Sequence, residues 1–259
     1  MTAATRPVPA AANAGLGWMR RHPVAAFLLV CFGLTWAGWG PGLAAFSVAL
    51  ATGSTRKLLA RITLWRIGLR WYAVALLGPG VLYVLALALD TVLGGTPPKL
   101  PDLSAVVVLG VLLALGQTLL TNWEEIGWRG FLLPRLLERC SPLESSLLVG
   151  LVWTAWHLPL VAWLNPPLAS TPVPALAVFG LATSVVLTWL YRGAGNNAFP
   201  ALLLHAASEA WQTLLPASPA ETRVFELYAG MYALVAVALV ISGRVPMVSA
   251  QPNPGGWGE

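Results

Sequence analysis

An all-α, polytopic membrane helix bundle of about eight crossings is the fold that the sequence predicts, and three observations predict it. Of the 259 residues, 57% are hydrophobic and only 10% charged, against roughly 25% charged in soluble domains. Apolar runs recur along the chain, most of them near the roughly 20 residues that span hydrocarbon as a helix. Basic residues collect in short clusters between those runs, as the positive-inside rule requires of a membrane chain. The clusters also account for the formal charge of +5, so the lipid bilayer, not nucleic acid, is the expected partner. Cys31 and Cys140 offer no disulfide framework and no metal spacing.

Residues 1–22 read as a cytoplasmic N-terminal tail of mostly small residues that closes on Arg20, Arg21 and His22. The apolar run that follows is too long for a removed signal peptide and lacks its cleavage pattern, so a retained anchor is expected. Residues 23–53 are punctuated by Gly38-Trp39-Gly40-Pro41-Gly42, which can kink one helix or join two short ones. Two short crossings give eight in all with both termini in the cytoplasm; a single tilted one gives seven with the N-terminus outside.

The segment 56–70 interleaves Arg56, Lys57, Arg61, Arg66 and Arg70 with apolar residues, a pattern suited to an amphipathic helix on an anionic cytoplasmic surface. Its expected role is a positive-inside anchor. Runs at about 71–94, 103–123, 143–164, 174–191, 198–215 and 225–243 then supply six crossings. With segment 56–70 inside, Arg129, Arg135, Arg139, Arg192 and Arg244 also fall inside, and only Lys99 and Arg223 outside. Residues 23–244 thus form one membrane-embedded domain, and 245–259, rich in Pro and Gly, a disordered tail. The expected location is a bacterial-type cell membrane.

The candidate chemistry begins at Glu124-Glu125-Ile126-Gly127-Trp128-Arg129, where ionisable groups interrupt the apolar chain. Such groups are costly beside hydrocarbon and mark functional positions. Glu125 and Arg129 share a helix face at i,i+4, which leaves Glu124 pointing elsewhere. The acidic pair is placed at the cytoplasmic end of run 103–123. Of three histidines, His157 and His205 lie inside apolar runs, and Glu209 follows His205 at i,i+4. At about 1.5 Å per residue, His205 lies roughly 10 Å into its helix and His157 roughly 20 Å from Leu143, so His157 needs a later helix start or a tilted span to meet the others. Two imidazoles and several carboxylates in a cavity suit hydrolysis. Either they hold a Zn²⁺ that acidifies a bound water, or a glutamate acts directly as general base. Spacing does not separate the two.

With these residues in place, the chain resembles the CAAX prenyl protease and bacteriocin-processing (CPBP, or abortive-infection-like) intramembrane proteases. Two glutamates followed after three residues by arginine are Glu124, Glu125 and Arg129. An aromatic residue four before a histidine is Trp153 to His157, with tryptophan where phenylalanine is usual. A histidine followed four residues later by asparagine looks like His205 to Glu209. The resemblance runs from about Arg56 to Pro216. It implies an intramembrane endopeptidase of about eight helices whose site faces the cytoplasm and whose substrate is a membrane-associated protein or peptide. Glu124 would activate water with His157, Arg129 would orient the acidic pair, and His205 with residue 209 would stabilise the oxyanion or bind metal. Glu209 departs from the pattern: an ionised carboxylate cannot donate to an oxyanion, yet it is a good metal ligand. The expectation therefore leans toward a metalloprotease with Zn²⁺ on His157, His205, Glu209 and Glu124. The rivals are a non-catalytic immunity or scaffold protein of the same fold and a proton-coupled transporter, for which no pair of interrupted helices in matching halves exists.

Overall fold

The computed structural model describes residues 10–34, 40–63, 65–98, 104, 108–110, 112, 113, 115, 116, 119, 123–164, 171–215 and 222–247. Most of the expected crossing at 103–123 lies outside them, as do Gly38, Trp39, Lys99 and the tail from residue 248. Among the described residues every regular element is a helix. In chain order these are α1 (Ala10–Arg21), α2 (Pro23–Leu34), α3 (Gly40–Thr52), α4 (Thr55–Ile62), α5 (Leu69–Val92), the π-helix π1 (Ile126–Leu132), α6 (Leu133–Leu137), α7 (Pro142–Pro159), a second π-helix π2 (Leu160–Leu164), α8 (Val173–Gly193), α9 (Phe199–Leu214) and α10 (Thr222–Ile241).

Among the described residues four segments are long and apolar enough to cross a membrane: Leu69–Val92, Pro142–Ala162, Val173–Gly193 and Thr222–Ile241. They match four of the expected runs, because each is a long uninterrupted stretch of hydropathy. α2 and α3 have 12 and 13 residues, so the 23–53 region does form two helices, each well short of the roughly 20 residues of a full crossing. α9, with 16 residues, is also short.

Three expectations change at the edges. Residues 10–21 of the expected tail form α1, which packs on α2 and α3. The basic segment is helical only to Ile62, where Thr63 turns its hydroxyl onto the Leu59 carbonyl and ends α4; Arg70 belongs to α5. Val245, the first residue of the expected disordered tail, is fully buried, and the Pro246 carbonyl accepts from the Leu143 N–H.

Two packed cores result. One gathers α5, α8, α9 and α10 around Tyr83, Leu190, Tyr228 and Tyr232; the other gathers α2, α3, π1, α6 and α7 around Phe27, Trp128, Phe131 and Trp156. α7 is fixed at its start by a capping box, with Glu144 N–H donating to Ser141 Oγ and Ser141 N–H to the Glu144 carboxylate. It crosses α8 through small residues: Ser146, Gly150 and Thr154 face Gly180 and Ser184, and Ser184 Oγ donates to the Ser146 carbonyl at 2.7 Å. Small faces of this kind let helix backbones approach closely where hydrocarbon supplies no driving force between helices. A Cβ on Gly180 would stand 2.3 Å from Thr154 Oγ1 and 2.8 Å from the Trp153 ring. Gly180→Ala is therefore expected to lower stability by about 1–3 kcal/mol, the cost of overpacking a tight contact, read as a lower unfolding midpoint in detergent; an unchanged midpoint would contradict this packing.

Candidate active site

The polar groups lie where the two cores meet. Glu124 and Glu125 are helical and lead directly into π1, whose wider turn is closed by the Leu133 N–H on the Trp128 carbonyl. Such π-turns are uncommon and often mark functional positions. The described helix opens at Glu124 and runs through π1 and α6 to Leu137, and Glu124, Ile126, Trp128, Phe131, Leu132 and Leu133 are buried. α6 packs on α7 across the turn at 138–141, so the chain goes inward to outward through α6 and returns through α7 to His157. This answers the depth mismatch raised by the sequence. α7 starts at Pro142, no later than expected, and the acidic pair comes to meet His157.

A close approach sets the position of π1. A Cβ on Gly127 would fall 2.6 Å from both the Cβ and the carbonyl oxygen of Pro41. The Gly-Pro punctuation in the 23–53 region therefore supplies the surface against which the acidic turn is seated.

Each carboxylate has its own partners. Glu125, 1% exposed, is paired with Arg129, also 1% exposed, through Nη1 contacts of 2.9 and 3.0 Å to its two oxygens. Glu125 Oε1 also lies 3.0 Å from His205 Nδ1. Glu124 faces the other way, as the i,i+4 argument requires. Its Oε2 accepts from Trp153 Nε1 at 2.9 Å and from Trp128 Nε1 at 3.4 Å, and stands 3.9 Å from His157 Nε2. The two tryptophan donors are site residues that the sequence reading did not assign. Trp128 could have been found from its i,i+4 spacing to Glu124, but Trp153 required the tertiary contact.

His157 is held on three sides. Its Nδ1 lies 2.9 Å from the Trp153 carbonyl, which can only accept, so Nδ1 carries the hydrogen. The Trp153 ring stacks on it with centroids 3.9 Å apart, and Trp156 meets it edge-on at 5.0 Å. His205 has a carboxylate oxygen at each nitrogen, Glu125 at Nδ1 and Glu209 Oε1 at 3.4 Å from Nε2. As an imidazolium it donates to both. The Glu209 side chain is 47% exposed.

All six sequence candidates, Glu124, Glu125, Arg129, His157, His205 and Glu209, line one cavity of about 410 Å³. Its remaining wall is largely apolar, with Val161, Leu176, Phe179, Leu187 and Phe225. The expected zinc ligands do not close on a point. His205 has a carboxylate oxygen near each nitrogen, and among the described residues no group of three His, Cys, Asp or Glu side chains is arranged to hold a metal ion.

Burial of Glu125 depends on Arg129. Arg129→Met would leave a desolvated carboxylate without its main counter-charge, and the protein is expected to lose about 3–5 kcal/mol of stability. The Glu125→Gln/Arg129→Met pair should recover part of it. Equal unfolding midpoints for Arg129→Met and the parent would show that the pair is not what supports the buried acid.

Comparison with known proteins agrees with the motifs. Residues 101–211 match the family model described as type II CAAX prenyl endopeptidase Rce1-like. A curated relative, CAAX prenyl protease 2 of Methanococcus maripaludis, is 28% identical over 130 residues, which are 48% of this chain and 46% of that protein; the match thus covers about half of the relative's length. The acidic pair and both helix-borne histidines fall within the matched residues 101–211, so over that part of its length the chain is similar to this family of membrane proteases.

Proposed function

We propose that the protein is an intramembrane endopeptidase that hydrolyses a peptide bond of a membrane-associated protein or peptide, with water activated by Glu124 and His157. The observation that carries this reading is the 3.9 Å separation of Glu124 Oε2 from His157 Nε2 in the cavity. With Nδ1 as donor, a neutral His157 presents a lone pair at Nε2. Two acceptors do not hydrogen-bond each other. A water that donates one hydrogen to each satisfies both: two bonds of about 2.8 Å then meet at about 90°, and an oxygen lone pair is left for the scissile carbonyl carbon.

In the reaction that follows, the water oxygen bonds to that carbon, Glu124 takes a proton, and the carbonyl electron pair moves onto oxygen. When the C–N bond breaks, Glu124 returns the proton to the departing nitrogen; the acid product's remaining proton passes to the amine, and carboxylate and ammonium are released. His205 Nε2–H becomes the donor for the oxyanion once the half-exposed Glu209 carboxylate, which accepts it in the resting site and cannot itself donate while ionised, swings off it; Glu125 at Nδ1 keeps the ring in place. Glu125 and Arg129 hold His205 from the other side. Trp128 and Trp153 keep the Glu124 carboxylate turned toward His157. The apolar wall suits a substrate that reaches the site from the bilayer, and the relative's name makes prenylated C-terminal peptides the first substrates to assay, beside unprenylated ones.

This reading is metal-independent, since it uses only atoms that the fold already brings together. Glu124→Gln keeps the shape and removes the base. It is expected to cut cleavage of a membrane-peptide panel by about 10²–10⁴-fold, the usual worth of general base catalysis, with expression and unfolding midpoint near the parent. Cleavage that survives, or a variant that fails to fold, would favour a structural role for the acid. Cleavage is also expected to persist after exhaustive dialysis against a chelator; loss that added Zn²⁺ restores would overturn the metal-independent step.

A further inference from the structure

A second cavity, of about 660 Å³, lies apart from the catalytic groups, between the α1–α2 junction, the α3–α4 turn and α6. Five cationic side chains reach it from separate parts of the chain: Arg21 ends α1, Lys57 and Arg61 lie on α4, Arg135 on α6, and Arg139 in the turn before α7. Among the described residues Glu138 is the one carboxylate on its wall. Gathering like charges around a cavity is unfavourable unless an anion offsets them, and a positive-inside anchor needs no such convergence: basic residues that serve orientation alone can point into open water.

Arg135 is the built part of the site. Its guanidinium lies over the Phe131 ring, 3.6 Å from the centroid; Nη1 donates to the Phe131 carbonyl at 2.8 Å and Nη2 to Ser54 Oγ at 3.1 Å. A guanidinium has five N–H donors, so its orientation is fixed while donors remain for a ligand. Burial, with repulsion from Arg61 and against the pull of Glu138, pushes its pKa down to about 10. It is still charged at neutral pH. Below the cations the wall turns apolar, with Val24 and Leu28 of α2 and Leu136 of α6. α2 is apolar throughout, and Leu29, next to Leu28, is 64% exposed, an apolar surface suited to hydrocarbon beside the cavity. Trp18, stacked near His22 at 5.5 Å, stands one turn before Arg21, in keeping with the headgroup depth that tryptophan prefers.

We propose that this cavity is a binding site for one anionic phospholipid, whose phosphate is held by Arg21, Lys57, Arg61, Arg135 and Arg139 while its glycerol and first methylenes lie on Val24, Leu28 and Leu136. Basic pockets between membrane helices on the cytoplasmic side are suited to such headgroups. The apolar wall makes a lipid, not free phosphate, the matching ligand. Arg61 Nη1 also reaches the Gly130 carbonyl of π1 at 3.5 Å, so a bound lipid would brace the turn that carries the acidic pair.

The test uses the full chain in a neutral detergent, with phosphatidylglycerol, phosphatidylcholine or inorganic phosphate added at equal concentration. Phosphatidylglycerol is expected to raise the unfolding midpoint by several degrees through mass action and to leave one retained lipid per protein in native mass spectrometry, with no effect from the other two. Arg135→Gln is expected to weaken the phosphatidylglycerol response by about tenfold or more, as loss of a charge-assisted contact does. Because Arg135 also braces α6, Lys57→Gln/Arg139→Gln, both exposed positions, provides a second variant that should show the same weakening without loss of folding. An equal response to phosphatidylcholine, a shift reproduced by inorganic phosphate, or an unaltered response in Lys57→Gln/Arg139→Gln would each overturn the proposal.

Discussion

Two adjacent carboxylates buried among apolar helices constrain much of this structure. Glu124 and Glu125 are 5% and 1% exposed, and an ionised carboxylate at such depth costs several kcal/mol unless charge and hydrogen bonds compensate it. Adjacent residues on a helix cannot share one partner, because their side chains leave about 100° apart at 3.6 residues per turn. Two partner sets are therefore needed. Arg129 and His205 meet Glu125, while Trp128, Trp153 and His157 surround Glu124. Those partners sit on π1, α7 and α9, so satisfying the pair fixes three elements relative to one another. The seat on Pro41 brings in α3 as well.

That constraint also separates the two acids by role. Glu125 is held between permanent positive charge and an imidazole, an environment that keeps it an acceptor and leaves it little to do but orient. Glu124 is held by two indole N–H groups, and its Oε2 lies 3.9 Å from His157 Nε2. Indoles orient a carboxylate without neutralising it. In the proposed reaction the carboxylate so oriented faces the water it shares with His157.

Much of this was legible in the residues. Long runs of hydropathy marked the helices later found at Leu69–Val92, Pro142–Ala162, Val173–Gly193 and Thr222–Ile241 within a few residues, and i,i+4 spacing anticipated both the Glu125–Arg129 pair and the His205–Glu209 contact. What escaped has a common cause. Hydropathy treats a charge as the end of an apolar run, so the buried helical stretch from Glu124 to Leu137 falls outside every expected crossing, although Trp128, Phe131 and Leu133 are there to be counted. The π-turn has no composition signal. Trp153 as a donor to Glu124 depends on the small-residue crossing of α7 and α8, a tertiary fact. The orientation of each histidine ring, set by a carbonyl at His157 and carboxylates at His205, is likewise not a property of composition.

The central claim is that Glu124 and His157 act on one water as a unit, and a double-substitution cycle of kcat/KM measures it most directly. If they share that water, either Glu124→Gln or His157→Ala already removes most of its activation. The combined variant should then be about as slow as the worse single one, as grouped catalytic residues generally behave. Losses that multiply across the two substitutions, with all three variants folded, would mean that the residues act independently and would contradict the account.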